Sequence, residues 1–335
     1  MKTALVITTI NKLNQNIIKF SSGCKKKNWD LIIIGDKKTP KNYYLKYGNY
    51  LNLIDQKKLN FNFSKICPIN NYARKNIGYL YALKMCNNVI VETDDDNFPK
   101  KNFFSNRITI HKSKEIKNKS WVNIYDLFLY NSENIWPRGL PLDQIKKTKI
   151  RINKLTKFNE FNLQQGLADQ NPDVDAIYRL IHENINIKFK KNYKISLGRS
   201  YSPINSQNTT WFKEISPLMY LPVTCSMRCT DIIRGYVALN ILIKKNKKIL
   251  FHGANLIQNR NVHNLFNDFD QESILYLKSK KIFEKLNKLN IKSNNSNLYK
   301  YLENSYKLLI RLRIVKKIEL KYLRAWIKDI KIRLR

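Results

Sequence analysis

The sequence predicts an α/β fold with a mostly parallel central sheet, extended at the C-terminus by helices, and three observations carry that expectation. Leu5-Val6-Ile7 and Leu31-Ile32-Ile33-Ile34 are short continuous apolar runs separated by a helix-length segment, the rhythm of strands covered on both faces. A third run, Val89-Ile90-Val91, leads through Glu92-Thr93 into the carboxylate triplet Asp94-Asp95-Asp96. From about Gln271 onward the apolar positions take helical spacing and no strand pattern returns.

Taken in order, the start MKTALVITTI reads as a first strand, without the extended apolar core or small-residue cleavage site of a secretory leader. The second strand ends at Gly35-Asp36. Residues Asn71 to Met85 place Ile77, Leu80, Tyr81 and Met85 at helical spacing and deliver the chain into the strand at Val89. Between Phe98 and Leu163 the pattern weakens into lysine-rich turns, with short strands expected at Arg107 to Ile110 and Trp121 to Tyr125 and a loop at Trp136-Pro137-Arg138-Gly139-Leu140-Pro141. A helix is expected from Asp173 to His182, its acids at the positive end of the dipole. Another, about Thr230 to Ile243, feeds a late strand Ile249-Leu250-Phe251 ending at His252-Gly253. The division drawn is an α/β domain over residues 1–270 and a basic amphipathic helical extension over residues 271–335.

In that extension, Tyr299 to Arg335 sets Leu302, Tyr306, Leu309, Ile310, Ile314, Ile318, Leu323 and Ile327 among many Lys and Arg residues. One reading folds this helix back on the domain with its charges solvated; the other lays it on an anionic membrane surface.

The 335 residues are 43% hydrophobic and 12% aromatic, ample for a globular core, and no apolar run reaches the length of a membrane span. Five cysteines without CxxC pairing argue against a disulfide framework or zinc site and suggest a reducing cytoplasm. A formal charge of +37 would ordinarily point to nucleic acid or an anionic membrane. The lysines accompany Asn, Ile and Tyr along the whole length, as A/T-rich codons would dictate, and no RNP, zinc-finger or helix-turn-helix pattern joins them. Nucleic acid is therefore not expected as a partner.

The triplet carries the chemistry. Carboxylates at a strand end point into the crevice where open α/β sheets bind ligands, and their mutual repulsion calls for a compensating cation, typically a hard divalent ion carrying phosphates. Asp94 and Asp96, two apart, project to the same side. Upstream, Arg74 and Lys75 at a helix start would favour a diphosphate, with Gly78 allowing close packing on the sheet.

Arg74 to Ala82, Glu92 to Asn97, the Trp136 to Pro141 loop, Gly166 to Asp169 with Asn171 to Leu180, and Gln258 to Phe269 together resemble the STELLO-type glycosyltransferases, described in bacteria as a domain of unknown function. The resemblance covers most of residues 1–270 and leaves the basic tail outside. A fainter similarity runs to the reversibly glycosylated polypeptides, UDP-arabinopyranose mutases, in the acidic triplet, the Arg138-Gly139-Leu140-Pro141 loop and Asp231 with Gly235. The resemblance implies a GT-A-like, Rossmann-related domain, a nucleotide-sugar donor, and manganese or magnesium. It does not settle donor or acceptor; the function expected from all these features together is transfer of a sugar to a carbohydrate or lipid-linked acceptor in cell-surface polysaccharide synthesis, in the cytoplasm and peripheral to the inner face of the membrane.

On these residues Asp96 and Asp94 are expected to hold the metal, with His252 a third ligand or diphosphate contact and His263 a weaker candidate. Thr8, Thr9 and Asp36 end the first two strands where base and ribose would sit, and Arg74, Lys75 and Asp95 join them in the nucleotide-binding set. Asp231 is the expected general base, with Asp175 its competitor. Arg138 would clamp a phosphate or approach the sugar. A nucleotide-sugar mutase and a non-catalytic scaffold are the alternative functions.

Overall fold

The computed structural model describes residues 1–131, 134–145, 149–261, 263–290 and 298–334. In chain order the strands are β1 (Thr3–Thr9), β2 (Asp30–Gly35), β3 (Asn49–Leu51), β4 (Val89–Asp94), β5 (Asn97–Pro99), β6 (Ile110–Glu115), β7 (Lys157–Glu160), β8 (Leu163–Gln170), β9 (Lys194–Ser196), β10 (Asn208–Phe212) and β11 (Ile249–Gln258). The α-helices are α1 (Gln15–Lys27), α2 (Leu53–Lys58), α3 (Asn62–Ile66), α4 (Lys75–Lys84), α5 (Tyr125–Phe128), α6 (Ala176–Ile181), α7 (Thr230–Lys244), α8 (Leu265–Asn287), α9 (Leu298–Arg311) and α10 (Glu319–Arg333).

The strands form one mixed sheet in the order β3-β2-β1-β4-β10-β8-β11-β9-β6-β7, with β5 pairing onto β11. The first four run parallel. Alternation along them splits the apolar runs between two cores: Leu5, Ile7, Leu31, Ile33, Val89 and Val91 pack under α1, while Ala4, Val6, Ile32, Ile34 and Ile90 join the larger cluster on the opposite face. Burial on both sides is why these strands read as unbroken hydrophobic runs. β10 then enters antiparallel between β4 and β8, and β11 returns parallel to β8.

Neither β8 (LQQGLADQ) nor β10 (NTTWF) has the apolar pattern that marks the first strands. The late strand does not stop at Phe251; it passes a bulge between His252 and Leu256 and continues to Gln258. The strand expected at Arg107 to Ile110 begins at Ile110. Trp121 makes an isolated bridge to Tyr201, and Tyr125 opens α5. The helix expected from Asp173 starts at Ala176, with Asp175 as its cap, and α8 begins at Leu265, ahead of Gln271.

The tail is stitched to the domain. Leu302, Tyr306, Leu309, Ile314, Leu323 and Ile327 lie in the same buried cluster as α4 and α7, so the structure takes the folded-back reading; Ile318 is exposed and Arg335 lies outside the described residues. Asp329 accepts the Asn62 and Phe63 amides at 3.0 and 2.8 Å, capping α3. Glu319 accepts the Tyr220 hydroxyl at 2.5 Å and the Val223 and Thr224 amides at 2.9 and 2.8 Å. Among the described residues no helix is long and apolar enough to cross a membrane.

Candidate active site

The three consecutive carboxylates are held by three different parts of the chain. Asp94, last residue of β4, accepts from Lys75 Nζ at 2.9 Å and the Tyr72 hydroxyl at 2.8 Å. Asp95 turns toward the end of β1, where Thr9 Oγ1 and Asn11 Nδ2 donate to its carboxylate at 2.5 and 2.9 Å, and Asn14 and Asn16 donate to its carbonyl. Asp96 is pinned to the end of β11: Gln258 Nε2 donates to its Oδ2 at 3.0 Å, and the Asn259 amide to its carbonyl at 3.1 Å. Its Oδ1 is buried and has no hydrogen-bond partner among the described residues.

Burial, reinforced by the neighbouring Asp94 charge, pushes the Asp96 carboxyl up to about 7. Burial likewise raises Asp94, against the pull of Lys75. A carboxylate with a free buried oxygen beside a second carboxylate is the donor set a hard cation satisfies. Among the described residues no cluster of three His, Cys, Asp or Glu surrounds such a position. Asp94 and Asp96 would thus supply the protein ligands, and phosphate oxygens and water the remainder.

Two clefts meet at this turn. A 560 Å³ cleft over the ends of β1 and β2 is lined by Thr8, Thr9, Asp36, Asn70 and Asn71, among others. A smaller one, 160 Å³, contains Asp94, Asp96, Asp173, Asp231, Arg228 and Arg260 in its wall. Tyr72, Met227, Asn261 and His263 line both, so the two form one trough. Asp36 accepts the Asn70 and Asn71 amides, each at 2.9 Å, fixing the floor of the larger cleft.

Beneath the trough lies a cage around Arg138. Its Nε and Nη2 donate to Asp173 at 2.9 and 2.9 Å, and its Nη1 and Nη2 to Asp231 at 3.1 and 3.0 Å. Nη1 also donates to the Arg228 carbonyl. A guanidinium has five N–H groups, and all are consumed. Gly139 permits the turn that aims Arg138 inward, adopting φ 89° where a Cβ would stand 2.5 Å from Ile232 Cγ2. Burial alone would raise Asp231, but the Arg138 charge and hydrogen bonds bring it down to about 2. A second ion pair, fully buried, joins Glu92 of β4 to Arg234 of α7, with Trp211 Nε1 donating to Glu92 at 2.7 Å.

Several expected roles change on this geometry. Arg74 borders the larger cleft, but its guanidinium is turned to Gln56 and to the Cys67 and Pro68 carbonyls, which take four of its five N–H groups. Lys75 is engaged with Asp94. Arg138 has no N–H left for phosphate or sugar. Asp175 is fully buried, capping α6 through the Tyr178 amide at 2.8 Å and accepting from Trp136 Nε1 at 2.6 Å, away from the trough walls. Asp231 does line the trough, but a carboxylate held near 2 takes up a proton poorly. His252 lies within β11 and lines a different cleft from Asp94 and Asp96, which corrects its place as a metal ligand. The glycine after it had suggested a strand end where the strand only bulges.

The structure adds residues that the sequence reading passed over: Asp173, assigned to a helix start, and Tyr72, Ser206, Arg228, Gln258 and Arg260. Arg228 and Arg260 bring positive charge to the trough opposite the acidic turn, each anchored by Glu272 or Asp268. Their only sequence signal was position: Arg260 falls within the Gln258 to Phe269 stretch, and Arg228 just ahead of the helix expected at Thr230.

A family model described as STELLO glycosyltransferases matches residues 228–334, from the arginine of the trough through α7, β11 and the C-terminal helices. "Probable glycosyltransferase STELLO2" of Arabidopsis thaliana is 30% identical over 242 residues, 65% of this chain and 31% of that protein. Over these stretches the chain is similar to the STELLO glycosyltransferases. "Probable glycosyltransferase STELLO1" of the same plant is 28% identical over 261 residues, 71% of this chain and 33% of its own length. The chain therefore spans about a third of the curated STELLO proteins it matches. The STELLO match runs through the basic tail, correcting the expectation that the tail falls outside the resemblance. A solved structure named "Crystal Structure of a Mycobacterial Protein" aligns at TM-score 0.41 and 9% identity over 82% of this chain and 72% of that one.

Proposed function

We propose that the trough holds a nucleotide-sugar by way of a divalent cation on Asp94 and Asp96, and that the protein transfers the sugar to a carbohydrate or lipid-linked acceptor in cell-surface polysaccharide synthesis. The observation that carries this reading is the partnerless, buried Oδ1 of Asp96 beside Asp94, in the smaller cleft that adjoins the larger one. When bound, manganese or magnesium would supply Lewis-acid stabilisation of the departing nucleoside diphosphate.

The chain's own residues do the rest. Thr8, Thr9 and Asp36 border the cleft suited to base and ribose, and Asp95 ties that cleft to the acidic turn. Gln258 orients Asp96, while Lys75 and Tyr72 orient Asp94. Arg228 and Arg260 attract the diphosphate. Arg138 acts as a positioning residue, fixing Asp173 and Asp231 in the trough wall; Asp231 is filled by Arg138, Ser206 and the Ile232 amide, so Asp173 is the one left to accept a sugar hydroxyl in a set direction. A mutase in which Arg138 handles the sugar is disfavoured, because that guanidinium is saturated. We place the reaction on the cytoplasmic face of a membrane, with peripheral attachment through the lysine-rich surface.

Asp96→Asn tests the reading at constant volume. Calorimetry with uridine or guanosine diphosphate and manganese should show binding to the unaltered protein, weakened by about 100-fold or more in the variant, as loss of a charged metal ligand implies. Incubation with nucleotide sugars and manganese should give slow donor hydrolysis in the unaltered protein alone. Equal diphosphate binding by both proteins would reduce the triplet to an acidic turn.

A further inference from the structure

A second large cleft, 780 Å³, lies apart from the trough and shares no lining residue with it. Gln164 of β8 and Leu250 and His252 of β11 form its floor. Their chain neighbours Leu163, Ile249 and Phe251 pack into the large core, so by alternation the cleft occupies the opposite face of the sheet. None of its lining residues is acidic, whereas Arg107, Lys112, Lys114, Lys191 and Lys194 all contribute.

Surface lysines alone would mean little in a chain this basic. Arg107 is different. Its guanidinium lies over the Trp29 and Phe103 rings at 5.1 and 5.4 Å, with Nε on Thr210 Oγ1 at 3.2 Å and Nη1 on the Ser105 carbonyl at 2.8 Å. Nη2 is buried without a hydrogen-bond partner, and among the described residues no carboxylate pairs with the side chain. Burial pushes it down to about 10. Arg138 and Arg234, buried elsewhere, each face at least one carboxylate, and Arg74, buried without one, is held by Gln56 and the Cys67 and Pro68 carbonyls. A desolvated charge without a counter-ion is destabilising unless an anion completes it. Ser113, another lining residue, also carries a buried hydroxyl without a partner. Around these groups stand the amides Asn102, Asn106, Asn192 and Asn255, suited to sugar hydroxyls, and the volume exceeds what a bare phosphate fills.

We infer that this cleft is a second binding site, taking a phosphate-bearing saccharide, with Arg107 as the anchor for the phosphate through its buried Nη2 and Lys194 closing over it from the rim. A soluble sugar phosphate and a lipid-linked one share this chemistry. The inference does not depend on the trough being a donor site.

The test is calorimetry on the full chain in EDTA, which silences metal-dependent binding, with glucose 6-phosphate, inorganic phosphate and glucose as probes. Glucose 6-phosphate should bind, more tightly than inorganic phosphate, and glucose should give no heat. Arg107→Gln should weaken binding by about tenfold or more, the worth of one charge-assisted hydrogen bond, and Asp96→Asn should leave it unchanged. Lys194 is exposed, so Lys194→Gln, expected to weaken binding severalfold, serves even where melting shows Arg107→Gln to be misfolded. A polyprenyl-linked sugar phosphate in detergent that binds more tightly than glucose 6-phosphate names the lipid-linked source; equal affinity names the soluble one. The inference is overturned if Arg107→Gln and Lys194→Gln both bind like the unaltered protein, if Asp96→Asn abolishes binding, or if the remote control Lys321→Gln weakens it as much. It is equally overturned if phosphatidylglycerol vesicles bind in an Arg107-dependent way while sugar phosphates do not.

Discussion

The two halves of the sheet are held together by different physics. β1, β2 and β4 bury Leu, Val and Ile on both faces, and their cohesion is that of any close-packed apolar core. β8 and β10 bury amides and hydroxyls that satisfy one another: Gln165 Nε2 donates to Asn205 Oδ1 at 2.9 Å, Thr209 Oγ1 to Gln165 Oε1 at 3.0 Å, and Asn208 Nδ2 to Asn255 Oδ1 at 2.7 Å. Apolar packing tolerates small changes in shape, whereas a buried polar network specifies direction and fails when a partner is lost. The trough lies along the seam, where the apolar half supplies a rigid edge and the polar half sets the orientation of Gln258, Asp173 and Asp231.

The largest effect that would break this contrast is at the seam itself. Glu92→Ala leaves Arg234 charged and buried without its partner and should cost about 3–5 kcal/mol in urea denaturation, against about 0.5–1.5 kcal/mol for Ile33→Val in the apolar half. Equal costs would show that the polar half contributes no special rigidity. Next in size is Asp231→Asn, which removes one carboxylate from the Arg138 cage and should cost about 1–3 kcal/mol at pH 7. Because the folded carboxyl is held down to about 2, below its ordinary 3.8, its stabilisation is present above pH 4 and lost as pH falls toward 2. The stability gap between the two proteins should therefore close in that acid window; a gap that persists at pH 2 would mean that Asp231 acts through shape and not charge.

The same contrast explains what the sequence could disclose. The strands at Leu5, Leu31 and Val89 and the helices at Lys75 and Thr230 are legible because burial selects apolar residues at strand or helix spacing. β8 and β10 are not, since Gln, Asn and Thr in a buried strand look like loop residues until their cross-strand partners are known. Asp94 and Asp96 announced themselves by crowding, and both line the small cleft. The cage around Arg138 stayed hidden because Asp173 and Asp231 come from distant segments and each alone reads as a helix-start acid. Arg107 was lost in a lysine-rich background; its buried Nη2 without a partner sets it apart.

The smallest expected effect compares the two clefts through their titration. Burial, aided by the charges of Arg107, His111 and Lys194, pushes His252 down to about 4, whereas an unfolded histidine takes up its proton near the usual value of about 6.5. Between those values the unfolded chain binds a proton that the folded chain refuses, so this group's contribution falls as pH drops from 6.5 to 4 and levels off below. The carboxylates titrate in part of the same window, so the informative quantity is the difference between the unaltered protein and His252→Gln, measured by urea denaturation at successive pH values. That difference should slope through the window in the free protein. It should flatten when saturating glucose 6-phosphate is present, because an anion beside Arg107 and Lys194 offsets the field that keeps His252 neutral. A slope indifferent to the sugar phosphate would leave His252 outside the field of any bound anion and would separate it from the Arg107 anchor.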